Sequence, residues 1–181
     1  MDLIDGLQNL MSHVPLIVQP LIVLLAAAIP FVEGEIASVL GVWAGLNPFV
    51  AFAAAVTGNF LSVFVVVVFG ARIRAAIVAR RAHRRELVLA GGHASGVPAL
   101  AAETKPESKG RQRFRRFLVR FGVPGASILG PLALPTQFTS AMLVASGVSK
   151  SWILLWQGVA IVLWTALTTA ATVGVLALIG L

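Results

Sequence analysis

Four stretches of this chain contain no Asp, Glu, Lys or Arg: residues 6–32, 36–71, 121–149 and 151–181, which are 27, 36, 29 and 31 residues long. A helix needs roughly 20 consecutive apolar residues to cross about 30 Å of hydrocarbon. Four such stretches in 181 residues point to an all-α integral membrane protein. Only 12% of the residues are charged, where a soluble domain carries roughly a quarter. The mean hydropathy of +0.93 agrees.

The charges collect in one place. Residues 72–120 hold 13 of the 14 basic residues and three acids, a net +10 against −3 for the rest of the chain. An excess of Lys and Arg marks the cytoplasmic side, so this segment is expected inside and the helix ending at Gly70 runs from outside to inside. Three parts follow: an N-terminal membrane unit over 1–70, a basic cytoplasmic segment over 71–120, and a C-terminal membrane unit over 121–181. Within the basic segment, 72–89 reads as a continuation of the membrane helix. Residues 91–110 are rich in Gly, Ala, Ser and Pro, as flexible linkers are. Phe114, Phe117, Leu118 and Phe121 then recur at helical spacing, with Arg111, Arg115, Arg116 and Arg120 around them. That pattern predicts an amphipathic helix at the inner membrane surface, its arginines with Arg72 and Arg74 at anionic headgroups. A solvated loop obeying only the topology rule is the plainer alternative. The acidic start (Asp2, Asp5) and the prolines at 15 and 20 do not read as a cleaved signal peptide. The pI near 11.6 follows from the basic segment, and nucleic acid is not expected as a partner.

Proline interrupts the apolar stretches at Pro15, Pro20 and Pro30 in the first and at Pro124, Pro131 and Pro135 in the third. Each removes a backbone donor, which in lipid must be compensated by protein or cavity water. Between these breaks and the next glycine, 36–46 and 136–146 hold 11 residues each, about 16 Å of helix and too short to cross. A shift of 102 residues superposes Glu35 on Gln137, Ser38 on Ser140, Gly45 on Gly147 and Asn47 on Ser149. Both glycines precede a helix start, with Asn47 then Pro48 and Ser149 then Lys150 as cap and first residue. The expectation is a pair of inverted repeats, with 14–46 a re-entrant hairpin from the outer face, 121–149 one from the cytoplasm, and a spanning helix after each. Four ordinary kinked spans are the competing arrangement.

Glu33 and Glu35 are carboxylates flanked by uncharged stretches of 27 and 36 residues. An intramembrane ionisable residue is a candidate site by default, because burial disfavours its charged form and favours proton exchange. A surface loop with both carboxylates solvated is the alternative. The facing element would be 131–137, with Pro135 and the uncharged partners Thr136 and Gln137, followed by Thr139 and Ser140. Asn59 is a buried polar group, read as an interhelical hydrogen-bonding residue before a substrate contact. Thr165, Thr168, Thr169 and Thr172 read as packing residues. His13, His83 and His93 form no HExxH pattern. The run around Ser127 is not a nucleophile elbow, no phosphate-binding lysine motif occurs, and cysteine is absent. No enzyme activity, cofactor or metal is expected.

The run IPFVEGEIASVLGVWAGLNPFVAFAAAVTGNFLS resembles the first half of the small multidrug export (efflux) proteins, and RFGVPGASILGPLALPTQFTSAMLVASGV resembles their second half. The resemblance covers about residues 28–175 without the linker. It extends to the wider DedA-like membrane proteins, with two re-entrant hairpins and two or more full spans. It implies a secondary transporter, or in the wider group a translocase of anionic lipid carriers. Glu33 matches the acidic position after Pro-Phe, and Pro135 the proline of the second hairpin. Two departures stand out: Glu35 occupies a position that is often basic, and Thr-Gln-Phe-Thr replaces a Gly-rich run. The expected function is proton-coupled export of small or lipophilic compounds by a homo-oligomer. The alternatives are lipid-carrier translocation and a membrane scaffold without transport.

Overall fold

The computed structural model describes residues 14–15, 17–90 and 109–180. They form helices α1 (Gln19–Ala27), α2 (Glu33–Trp43), α3 (Pro48–Ala90), α4 (Lys109–Leu129), a 3-10 turn (Gly130–Leu132), α5 (Thr136–Ala145) and α6 (Lys150–Leu178), with no strand among the described residues. The all-α class is as expected. Most of the expected linker, 91–108, lies outside the described residues.

Two helices are long and apolar enough to cross a membrane, Pro48–Leu87 and Lys150–Leu178. Only 28% and 22% of their most apolar windows is buried. Phe49, Leu61, Phe64 and Phe69 on α3, and Leu155, Leu163, Leu167 and Leu178 on α6, face outward. A helix apolar all round belongs in a large core or in lipid, and too little of this chain surrounds these two to form such a core. α3 runs unbroken for 43 residues, about 65 Å, so the continuation expected past Gly70 is present, with Arg72–Leu87 almost wholly exposed.

α3 and α6 are antiparallel: Phe60 lies against Gly158, and Arg74 against Gly147 just before α6 begins. The bundle therefore has an Asn47 end and an Arg74 end. α1 starts at the Asn47 end, where Pro20 shares a surface groove with Phe49, Val50 and Ala53. It crosses α3 at Gly58, where any side chain would collide with the Leu24 carbonyl. The chain turns through Pro30 to Val32, and α2 comes back to the Asn47 end, where Gly41 abuts Ala51. The second pair does the same from the other end. α4 is broken at Gly122 (φ 66°, ψ −170°). Phe114 and Leu118, like Ala71 and Val148, pack against the buried cluster that contains Val67, Val123, Leu143 and Val144, and further along Ile128 accepts a hydrogen bond from the Trp164 indole at 2.8 Å. After the 3-10 turn, α5 returns to the Arg74 end, where Val144 meets Gly70. Each helix pair thus ends where it began, and the two turns reach the middle from opposite ends. Phe114 and Leu118 differ in one respect from the amphipathic reading: they are half-buried against the bundle instead of facing outward.

The 102-residue correspondence reaches atomic detail. Gly45 (φ 88°) and Gly147 (φ 89°) end α2 and α5 in the left-handed region, which L side chains adopt at a cost of roughly 1–2 kcal/mol. In both, the next residue's N–H returns to a carbonyl five residues back, Leu46 to Gly41 at 3.0 Å and Val148 to Leu143 at 3.2 Å, the Schellman closure. Buried positions also coincide: Ala51, Ala55, Gly58, Asn59, Val63 and Val67 on α3 match Ile153, Gln157, Ala160, Ile161, Thr165 and Thr169 on α6.

Candidate functional site

The two turns meet. Phe31 and Phe138 touch edge to face with ring centroids 6.0 Å apart. Beside them Glu33, 7% exposed, places its Oε1 at the start of α5. Pro135 is the residue before that helix and offers no side-chain cap. The Thr136 backbone N–H donates to Glu33 Oε1 at 2.5 Å, and the Thr136 hydroxyl donates to the same oxygen at 2.6 Å. A carboxylate at a helix N-terminus meets unsatisfied N–H groups and the positive end of the dipole, so the first helix pair supplies the cap that the second lacks.

The polar cluster extends to α3. Thr136 Oγ1 is 3.1 Å from Asn59 Oδ1, and the Gln137 amide donates to Asn59 Oδ1 at 3.3 Å and to Ser62 Oγ at 3.0 Å. Ser62 donates in turn to the Asn59 carbonyl at 2.8 Å. Thr136 has one hydroxyl proton and three acceptors within reach, Gln137 Oε1 at 3.5 Å being the third, so it serves Glu33, Asn59 or Gln137 at any instant. A change of charge at Glu33 is therefore felt at Asn59, Gln137 and Ser62 through one rotor.

Backbone strain concentrates here as well. Phe31 (φ 73°) and Glu33 (φ 52°) are the non-glycine residues with positive φ among the described residues. Such positions cost of order 1–3 kcal/mol each and gather at functional sites. Gly34, between the two glutamates, lets α2 lie directly on Thr165 of α6.

Of the residues singled out in the sequence, Glu33, Thr136, Gln137 and Asn59 come together in one hydrogen-bonded cluster, with Pro135 at its edge. Asn59 Oδ1 accepts hydrogen bonds across the helices from Thr136 and Gln137. Glu35 stands apart: it is half-buried, and its Oε2 has no hydrogen-bond partner. Arg72 lies over Phe69 at 5.8 Å and Arg120 over Phe121 at 5.4 Å. Arg74 packs on Gly147, and Arg116 is exposed. Arg111 and Arg115 lie on α4, with side chains outside the described set. Ser62 and Gln157 escaped the sequence reading. Gln157, wholly buried on α6, carries the signal that singled out Asn59, a lone amide in a long apolar helix. Among the described residues no group of three His, Cys, Asp or Glu is arranged to hold a metal ion. No family model, no curated protein and no solved structure matches this chain.

Proposed function

We propose that this chain is a proton-coupled secondary transporter of the bacterial inner membrane, exporting small or lipophilic compounds. In this reading α1–α2 and the pair from Val123 to Ala145 are re-entrant hairpins of two inverted repeats, α3 and α6 are the full spans, and residues 72–120 are cytoplasmic. Few walls surround the centre of one chain, so a homo-oligomer completes the path. Supporting the topology are the return of each helix pair to its starting end, the 102-residue register, and the +10 charge of the basic segment.

One observation carries the transport reading: the Glu33 carboxyl sits where two broken helix pairs meet, hydrogen-bonded to the second pair and linked through Thr136 to α3. When Glu33 takes a proton its acceptor strength falls, and the Thr136 hydroxyl is released to Asn59. The contact between the hairpins then loosens as a function of protonation, which is what alternating access requires of a coupling group. Lipid-carrier translocation would use the same device, with Arg72 and Arg74 near the inner headgroups.

The test is flux in proteoliposomes under an imposed pH gradient. Glu33→Gln keeps size and hydrogen bonding while removing the titration, and it is expected to abolish pH-driven flux in protein that inserts normally. Undiminished, still pH-dependent flux in the Glu33→Gln/Glu35→Gln double variant would overturn the reading. A fluorescent lipid reporter in the same vesicles separates lipid carriers from soluble compounds.

A further inference from the structure

We propose that water reaches Glu33 from the Arg74 end, along a seam lined by Ser127, Thr139, Ser140 and Gln157, while the equivalent positions in the Asn47 half form an apolar plug. The seam's part in transport rests on the function proposed above; its existence does not.

The argument starts from unmet hydrogen bonds. Ser127 Oγ, Thr139 Oγ1, Ser140 Oγ and both amide atoms of Gln157 have no partner, and these four side chains are at most 1% exposed. Buried polar groups are nearly always satisfied, and where protein does not suffice an ordered water does so. A hydroxyl on an apolar helix has a local remedy, the carbonyl one turn back. Thr169 and Thr172 use it, bonding the carbonyls of Thr165 and Thr168 at 2.6 and 2.8 Å. Thr139 and Ser140 do not, and a glutamine has no equivalent remedy.

These groups occupy one region. Ser140 is one turn from Thr136 on α5 and Thr139 lies beside it, against Gly130. Ser127 precedes Ile128, which anchors Trp164. Leu143 and Ile153 belong to one packed cluster near the α5–α6 turn. One turn deeper along both antiparallel helices come Ser140 and Gln157. The four residues therefore lie between the Glu33 contact and the Arg74 end.

The equivalent positions in the first half differ. Ala37, Ser38 and Ala55 stand where Thr139, Ser140 and Gln157 stand in the second, all fully buried. Ser38 is satisfied by the Glu35 carbonyl at 3.0 Å. Around them Val23, Leu40, Val42 and Leu46 form a continuous apolar cluster. The equivalent positions thus hold partner-seeking groups in the second half and apolar or satisfied ones in the first, while the unpartnered Glu35 Oε2 and Thr165 Oγ1 lie beside the Glu33–Gly34 turn itself.

Because the chain lacks cysteine, single substitutions report one position each. In oriented proteoliposomes, a small charged methanethiosulfonate reagent is expected to modify Ser140→Cys and Gln157→Cys about tenfold faster than Ala37→Cys and Ala55→Cys, since a dry buried thiol is inert. Reaction should occur only from the side on which Ser108→Cys reacts. Thr139→Cys provides a third seam position should Gln157→Cys not fold, with folding read by circular dichroism. Equal rates at seam and plug positions, no reaction at the folded seam variants, or reaction from the opposite side would overturn the proposal. Labelling needs no flux. If Glu33→Gln leaves transport untouched, the transport reading falls and the seam is still measured; if labelling fails while flux depends on Glu33, only the seam falls.

Discussion

The two halves of this molecule share a frame and differ in what the frame holds. Both have a broken helix pair, a left-handed glycine, an identical hydrogen-bonded closure and a long helix with the same buried positions. The first half contributes a carboxylate, the Asn59 amide and the Ser62 hydroxyl to the centre; the second contributes a helix N-terminus, the Gln137 amide and a run of hydroxyls. Geometry is therefore repeated where backbone closure dictates it, and chemistry diverges where side chains face inward. Neither half is complete alone, because Glu33 finds its partners only across the contact.

Unequal effects at equivalent positions would sharpen this comparison, and equal ones would break it. The largest is at the contact. Glu33→Ala strands the Thr136 N–H, leaving the hydroxyl to Asn59, and is expected to cost about 3 kcal/mol, the upper end for a buried unsatisfied group; Pro135→Ala, its counterpart, is expected to cost under about 1 kcal/mol. Denaturant unfolding in detergent, followed by tryptophan fluorescence, measures both. Next come the closing glycines. Gly45→Ala should cost roughly 1–2 kcal/mol of left-handed strain. Gly147→Ala should cost more, since its Cβ would fall 2.6 Å from the Arg74 guanidinium. Equal losses would mean that Arg74 swings away freely. Asn59→Ile gives the first half the residue of the second and is expected to cost about 1 kcal/mol, the scale of hydrogen bonds between membrane helices. Smaller is Ser38→Ala, at about 0.5 kcal/mol for one local bond. Ser140→Ala, with no protein partner to lose, should change thermal stability less still.

Much of the frame was legible because it depends on residues with few conformational choices. Gly-Leu-Asn47-Pro48 and Gly-Val-Ser149-Lys150 state a helix end and a helix start in four residues each, and the structure has both. Glu33 was conspicuous through its isolation among uncharged residues. Its partner was legible only as a segment: Thr136 lies 103 residues away, and nothing local marks which hydroxyl of Thr-Gln-Phe-Thr receives the carboxylate. The positive φ at Phe31 was hidden, since phenylalanine gives no sign of tolerating it and tertiary packing imposes it. Phe114 and Leu118 have the spacing of a surface-bound helix. Which apolar surface they meet is a tertiary matter, and part of it turned out to be the bundle.

The borrowed cap has a consequence for biogenesis. Chains emerge N-terminus first, so α2 exists before α5 is made. A ten-residue helix such as α5 has little stability by itself, and its own preceding residue, Pro135, cannot close its first turn. The nascent second half therefore reaches its final shape by docking onto a finished first half, which serves as its template. A chain beginning at residue 109, supplied with residues 1–90 as a separate polypeptide, should recover the protease resistance that it lacks when made alone. Delivered in the reverse order, the same two pieces should assemble more slowly, with α5 the last segment to become protected.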